Sequence, residues 1–264
     1  MIIKREEKKK LEEIKKPTVI AGFVGVGNVG KMTLDYLASE LKAEKILEIY
    51  TDYLPHIIFL NNNGKFTLPK IEFYKKRIKK RDFLLVTSST QPAEEKKSYK
   101  FSMLIFKEVL RCNPKEIITV GGYGVQKPQD PPRVYGITNS RALKIKFSKK
   151  GVVFDPERIG TVVGAAGLLV GYADLEGIPS ICLLGETSLE IGLKAVKAVL
   201  SVLDRVYGFG INFGRIDRDI ELQEKQLKES KLMEEMRKRA EIEKFFVDLF
   251  ERERKRKLRP PYFI

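Results

Sequence analysis

The run Thr18-Val19-Ile20-Ala21-Gly22-Phe23-Val24-Gly25-Val26-Gly27-Asn28-Val29-Gly30-Lys31-Met32 constrains this chain more than any other stretch. An apolar segment bounded by Pro17 reads as a buried strand. It breaks into glycines, and an amphipathic helix then starts with Val29, Met32, Leu34, Leu37 and Leu41 among its apolar positions. Strand, tight turn and helix form the first half of a βαβ unit. Gly25, Gly27 and Gly30 fit the G-x-G-x-x-G spacing, in which missing Cβ atoms let a backbone approach a pyrophosphate at a helix N-terminus. The same glycines with Lys31 come within one residue of a P-loop. That motif needs Ser or Thr after the lysine to hold Mg²⁺, and here Met32 follows. A phosphate-binding turn and a purely structural turn both remain open at this point.

With 264 residues and a hydrophobic fraction of 43%, the chain has enough apolar side chains for a sizeable core. Its net charge of +15 points towards an anionic partner, but its lysines and arginines are spread among 35 acids. A solvated, ion-pair-rich surface is the simpler reading. Cys112 and Cys182 lie in apolar surroundings and read as reduced core residues of a cytoplasmic protein. Residues 1–16 are charged, helical in pattern and without the apolar centre of a signal peptide. No apolar run is long enough to span a membrane, so no membrane partner is expected.

Further along, Lys45–Tyr50 reads as a second strand. Ile57–Leu68 reads as a hairpin around Asn61-Asn62-Asn63-Gly64. Tyr74–Arg81 is the densest basic stretch. It reads as a solvated helix face or connector, and nucleic-acid binding through it is disfavoured because no recognisable module accompanies it. Phe83–Thr87 is a buried strand, Tyr99–Arg111 a helix stopped by Asn113-Pro114, and Ile117–Val120 another strand. Val134–Thr138 and Ala142–Phe147 look like short strands. Gly160–Tyr172 leads into a helix, Ile178–Leu184 is a strand and Ser188–Val206 an amphipathic helix. Strands alternating with helices predict an α/β fold over residues 17–210, three-layered around a largely parallel sheet. The glycine-rich breaks after Phe23, Val120 and Leu184 should fall at one sheet edge, where open α/β sheets place ligands.

Glycine and proline then vanish from Arg215 to Arg259, and charges of both signs alternate. A long helical extension is expected over 211–258. Leu232, Met236, Ala240, Phe246 and Phe250 lie along its apolar stripe, which must pack on the domain or on copies of itself. Self-association is the preferred expectation. Pro260-Pro261 ends the helix, so residues 259–264 form a tail closing on Tyr262-Phe263-Ile264.

Groups for catalysis are few. His56 is the only histidine, and Cys182 sits in mid-strand, where burial raises a thiol pKa. Asp52, Asp130, Asp155 and Glu186 are loop carboxylates. A dinucleotide site would want an acid about 20 residues beyond the glycines, and Glu48 and Asp52 are near that distance. No metal or cofactor is expected. A nucleotide- or nucleoside-binding enzyme built on Gly25, Gly27 and Gly30 with Asp155 or Glu186 is the alternative to a binding protein.

Several segments in order carry a resemblance: Gly22–Gly30, Gly121-Gly122-Tyr123, Pro132–Asn139, Gly164–Leu169 and Gly177–Thr187. Through them the chain, over roughly Pro17 to Tyr207, resembles the archaeal proteasome assembly chaperone family. That resemblance implies an α/β fold akin to nucleoside phosphorylases without an established catalytic centre. It also implies homo-oligomers that bind the proteasome α-subunit ring. Proteins binding there commonly end in a hydrophobic–Tyr–any tripeptide, which enters pockets between α subunits and meets a lysine with its carboxylate. Here Phe263 stands in the penultimate place, so either Tyr262-Phe263-Ile264 docks without a phenol in that slot, or Pro261-Tyr262-Phe263 docks with one residue to spare. The function implied is that of a non-enzymatic assembly chaperone or ATP-independent proteasome activator.

Overall fold

The computed structural model of the chain describes residues 1–60, 63–188 and 192–257, and the backbone alone at 231, 239, 240 and 242–257. Met1–Ile216 forms one compact unit, and a second starts at Asp217. In chain order the elements are β1 (Ile2–Glu7), β2 (Thr18–Gly22), α1 (Val29–Glu40), β3 (Glu44–Thr51), β4 (Phe59–Leu60), β5 (Phe66–Thr67), β6 (Ile71–Ile78), β7 (Arg81–Ser88), α2 (Glu95–Leu110) and β8 (Glu116–Gly124). They continue with β9 (Val134–Thr138), α3 (Arg141–Ser148), β10 (Val152–Val153), α4 (Pro156–Ile159), α5 (Ala165–Leu175), β11 (Ser180–Thr187), α6 (Leu193–Tyr207) and α7 (Gly214–Lys257).

Nine strands form one sheet in the order β1-β3-β6-β7-β2-β8-β11-β9-β10, and β4 and β5 pair as a separate hairpin. Alternate side chains of β2, β7 and β8 face opposite layers. Val19, Ala21, Leu84, Val86 and Ile117 join Phe101, Ile105 and Val109 of α2 and Leu169 and Ala173 of α5 in one core cluster. Ile20, Leu85 and Ile118, one residue along each strand, are buried on the other face. There α1 and α6 pack together, with Leu34, Leu37, Val196, Val199, Leu200 and Leu203 buried at helical spacing. The three-layer α/β fold expected from the alternation is thus observed. Parallel pairing, however, is confined to β7-β2-β8-β11 and β9-β10, whereas β1-β3-β6-β7 and β11-β9 are antiparallel. The sheet is therefore mixed. Its antiparallel wing follows from hairpin and edge connections that local patterning does not specify.

Three local readings change. Residues 1–16 form an edge strand and a short 3₁₀ turn, because β1 finds a partner in β3; its charged side chains suit an exposed edge. Tyr74–Arg81 lies largely in β6, which is paired on both sides; buried Ile71 and Phe73 open the strand and the basic Lys75-Lys76-Arg77 follow at its less buried end. Ala142–Phe147 lies in helix α3. Buried Leu143 and Phe147 are four residues apart, and the Ser140 side chain accepts a hydrogen bond from Leu143 N at 3.4 Å as an N-cap.

Where β3 and β6 meet, Glu48 takes hydrogen bonds from Lys45 Nζ (2.6 Å) and Lys70 Nζ (2.7 Å). Lys45 also reaches Glu72 at 2.9 Å. Burial opposes ionisation of Glu48, but the two ammonium groups outweigh it and hold its pKa at about 2. An unfolded glutamate titrates near ~4.3. The folded value lies below the unfolded one, so this cluster stabilises the fold fully above that pH and loses its contribution as pH falls towards 2. Denaturation curves between pH 6 and pH 2 should show a steeper acid loss in the parent chain than in Glu48→Gln. Parallel curves for the two would remove Glu48 from the acid limb.

Candidate functional site

The glycine turn sits at the C-terminal edge of β2, between β8 and the segment that follows β11. Gly27 (φ 57°) and Asn28 (φ 53°) occupy the left-handed region, which brings the chain round into α1. The remaining glycines serve close approach. A Cβ on Gly30 would lie 2.5 Å from the Val120 carbonyl oxygen and 2.6 Å from that of Phe23. One on Gly122 would overlap the Val26 carbonyl oxygen, and one on Gly192 that of Gly27. A Cβ on Gly27 would meet the Thr187 side chain at 2.9 Å. Protein atoms therefore crowd the side of Gly27 on which a Cβ would lie.

Several of the turn's polar groups are engaged within the chain. Asn28 N donates to Gly25 O (2.8 Å) and Lys31 N to Phe23 O (3.0 Å), while the Lys31 ammonium pairs with Asp35 one helical turn on. Sheet order also removes the acid a dinucleotide site requires. β3, which carries Glu48, is separated from β2 by β6 and β7, so it is not the neighbour a βαβ half-site supplies. Glu48 is ion-paired with Lys45 and Lys70 there, and Asp52 meets Met1 N.

Beside the turn lies a cavity of about 220 Å³, walled by Val24, Val26, Val162, Val163 and Leu184 together with Tyr123 and Gln91. Gln91 is the polar residue that sequence reasoning missed. Its Nε2 donates to Val24 O, and its Oε1 accepts from Ala165 N at 3.1 Å, tying the turn to the start of α5. It lies in the polar loop after β7, where no local pattern marks it.

The other carboxylates have structural tasks. Glu186 lies in β11, not in a loop, and is buried. Its Oε2 accepts from Gln129 N (3.2 Å) and Arg133 N (3.4 Å), and Arg158 Nη2 stands 3.6 Å from Oε1. This carboxylate anchors the proline-dense loop of residues 127–133. Asp155 caps α4 by accepting from Arg158 N at 3.1 Å, and Asp130 pairs with Lys194 at 3.0 Å. Burial pushes the Cys182 thiol up to about 11 and the Cys112 thiol up to about 12. His56 is exposed between β3 and β4. Asp155 and Glu186 thus meet at Arg158 in structural contacts, and Cys182 is buried in mid-strand.

Leu232 and Met236 on α7 are exposed, as is neighbouring Met233. The side chains of Ala240, Phe246 and Phe250, and the whole of Tyr262, Phe263 and Ile264, lie outside the described residues. Among the described residues no helix is long and apolar enough to cross a membrane. The β4–β5 hairpin, expected from its asparagine-glycine turn, is present with Leu60 and Phe66 cross-paired and both exposed.

A family model, that of the PAC2 family, matches residues 19–231. An uncharacterized protein of Methanocaldococcus jannaschii is 32% identical over 228 residues, 86% of this chain and 88% of its own length. The crystal structure of Pyrococcus furiosus PbaB, an archaeal proteasome activator, is similar at 32% identity with a TM-score of 0.80, over 86% of this chain and 98% of that one. Pyrococcus furiosus PbaA, an archaeal homologue of proteasome-assembly chaperone, shares the fold at 23% identity and a TM-score of 0.73, over 92% and 98% of the two chains.

Proposed function

The chain belongs to the PAC2 family, and from that premise we propose that it is a non-enzymatic, ATP-independent activator of the proteasome core particle. The observation that carries this reading is the similarity to PbaB, which spans nearly all of that activator at 32% identity and a TM-score of 0.80. The likeness to PbaB, at 32% identity, is greater than that to PbaA, at 23%, so activation is preferred over assembly assistance. The packed glycine turn agrees with a scaffold role for the element that had suggested nucleotide chemistry.

In this proposal the α/β unit is the body, α7 carries the self-association stripe of Leu232, Met236, Ala240, Phe246 and Phe250, and Tyr262-Phe263-Ile264 enters the pockets between α subunits. Several copies in one homo-oligomer would engage several pockets together, raising the effective concentration of each tail once the first is seated. Peptide hydrolysis by an archaeal core particle tests the activator reading. Saturating full-length protein should speed hydrolysis of a short fluorogenic peptide several-fold without nucleotide. An unchanged rate, with a higher yield of core particles assembled from separate subunits, would replace activation by assembly assistance.

A further inference from the structure

At the sheet edge opposite the glycine turn, the N-terminal ends of β7, β2 and β8 come side by side. A cavity of about 480 Å³ opens there, within the range of small-ligand sites. Three separate segments wall it with cations: Lys15 and Lys16 before β2, Lys79, Lys80 and Arg81 at the β6–β7 turn, and Lys115 before β8. None of these six forms an ion pair with a carboxylate among the described residues. That sets them apart from Lys45 and Lys70, each of which meets glutamates on β3 and β6. One carboxylate, Asp82, shares the wall, and Arg77 Nη1 faces it at 3.6 Å. Nearby Glu116 is committed to Thr18 Oγ1 (2.9 Å), Tyr207 OH (3.0 Å) and Lys146 Nζ (3.2 Å).

Backbone geometry adds a second, independent observation. Lys16 (φ 44°) and Lys79 (φ 55°) both hold the left-handed conformation, which glycine or asparagine adopts at lower cost. Lys79 opens a two-residue hairpin loop, since Ile78 pairs with Arg81, and such loops favour asparagine and glycine in that place. Lysine at both strained positions concentrates charge where a neutral residue would fold more easily. Like charges gathered in a concave site repel one another and focus a positive potential, and a compact multivalent anion relieves that repulsion.

We infer that this basic cavity binds a small phosphate-chain anion, an inorganic triphosphate or the triphosphate of a nucleotide. The site is distinct from the glycine turn, and the inference stands whether or not the tail docks on a proteasome.

Isothermal titration of the full-length protein at physiological salt tests it, with inorganic triphosphate, a nucleoside triphosphate and sulfate at matched ionic strength. Triphosphate should bind saturably and raise Tm by roughly 5 °C at a hundredfold excess over Kd. The double variant K16N/K79N keeps residues suited to the left-handed turns while removing two charges. It should bind at least tenfold more weakly, with an unliganded Tm equal to or above that of the parent. Lys42, also left-handed (φ 48°) but outside the cavity wall, supplies the control: K42N should bind as the parent does. Equal affinity for inorganic and nucleoside triphosphate would assign the site to the phosphate chain alone, and tighter nucleotide binding would assign it to a nucleotide. Undiminished binding in K16N/K79N would overturn the inference. So would sulfate binding as tightly as triphosphate, or a response to single-stranded RNA with none to triphosphate.

Discussion

Gly30→Val is expected to destabilise the fold by more than about 3 kcal/mol, a large share of the total stability of a domain of this kind. The reason lies in what surrounds the missing Cβ. Carbonyl oxygens of Val120 and Phe23 stand 2.5 and 2.6 Å from where it would be, and both belong to backbone held in the central sheet or the turn leaving it. A flexible side chain could swing away; these carbonyls cannot move without parting α1 from β8. Gly22, at the end of β2, meets the Gly30 carbonyl in the same layer, so the two glycines interlock. Gly171, in α5, makes the opposite case. Nothing lies within 4 Å of its absent Cβ, and Gly171→Ala should gain up to about 1 kcal/mol from helix propensity. Urea unfolding of the two variants beside the parent checks both signs, and a Gly30→Val midpoint close to the parent's would refute close packing as the purpose of this glycine.

Much of that junction was legible in the sequence. An apolar run, glycines at G-x-G-x-x-G spacing and an amphipathic start identify strand, turn and helix. What the spacing leaves open is whether the glycines admit a ligand or another backbone. The answer depends on Gly122 and Gly192, which are nearly a hundred and more than a hundred and sixty residues further on. Sheet order was hidden for a similar reason: nothing local to Glu48 says that β6 and β7 intervene between its strand and β2. α3 was misread because Leu143, Ile145 and Phe147 alternate with Lys144 and Lys146 at the strand period, and the arbiter was the Ser140 cap. Gln91 gave no signal, since a glutamine in a polar loop becomes informative only when Val24 and Ala165 are seen on either side of it. The basic residues of the N-terminal edge are dispersed over about a hundred positions and converge only in the folded sheet.

Removing Tyr262-Phe263-Ile264, or replacing all three by alanine, is expected to weaken binding to the core particle by at least about a hundredfold. Aromatic anchors that fill pockets typically contribute about 2 kcal/mol or more each, and 2.8 kcal/mol corresponds to a factor of about a hundred. Shared engagement by several copies multiplies the loss, because avidity vanishes with the individual contacts. The compact unit Met1–Ile216 contains none of these residues, so the truncated chain should keep the thermal transition of the parent. That separation distinguishes a lost contact from a lost fold.

In the proposed function Tyr262-Phe263-Ile264 seats the chain on the proteasome. Surface binding tests this with the full-length protein and the chain lacking Tyr262–Ile264 passed over the same immobilised core particle. Saturable binding by the first and none by the second, at equal Tm, is the predicted result; equal binding by both would contradict it.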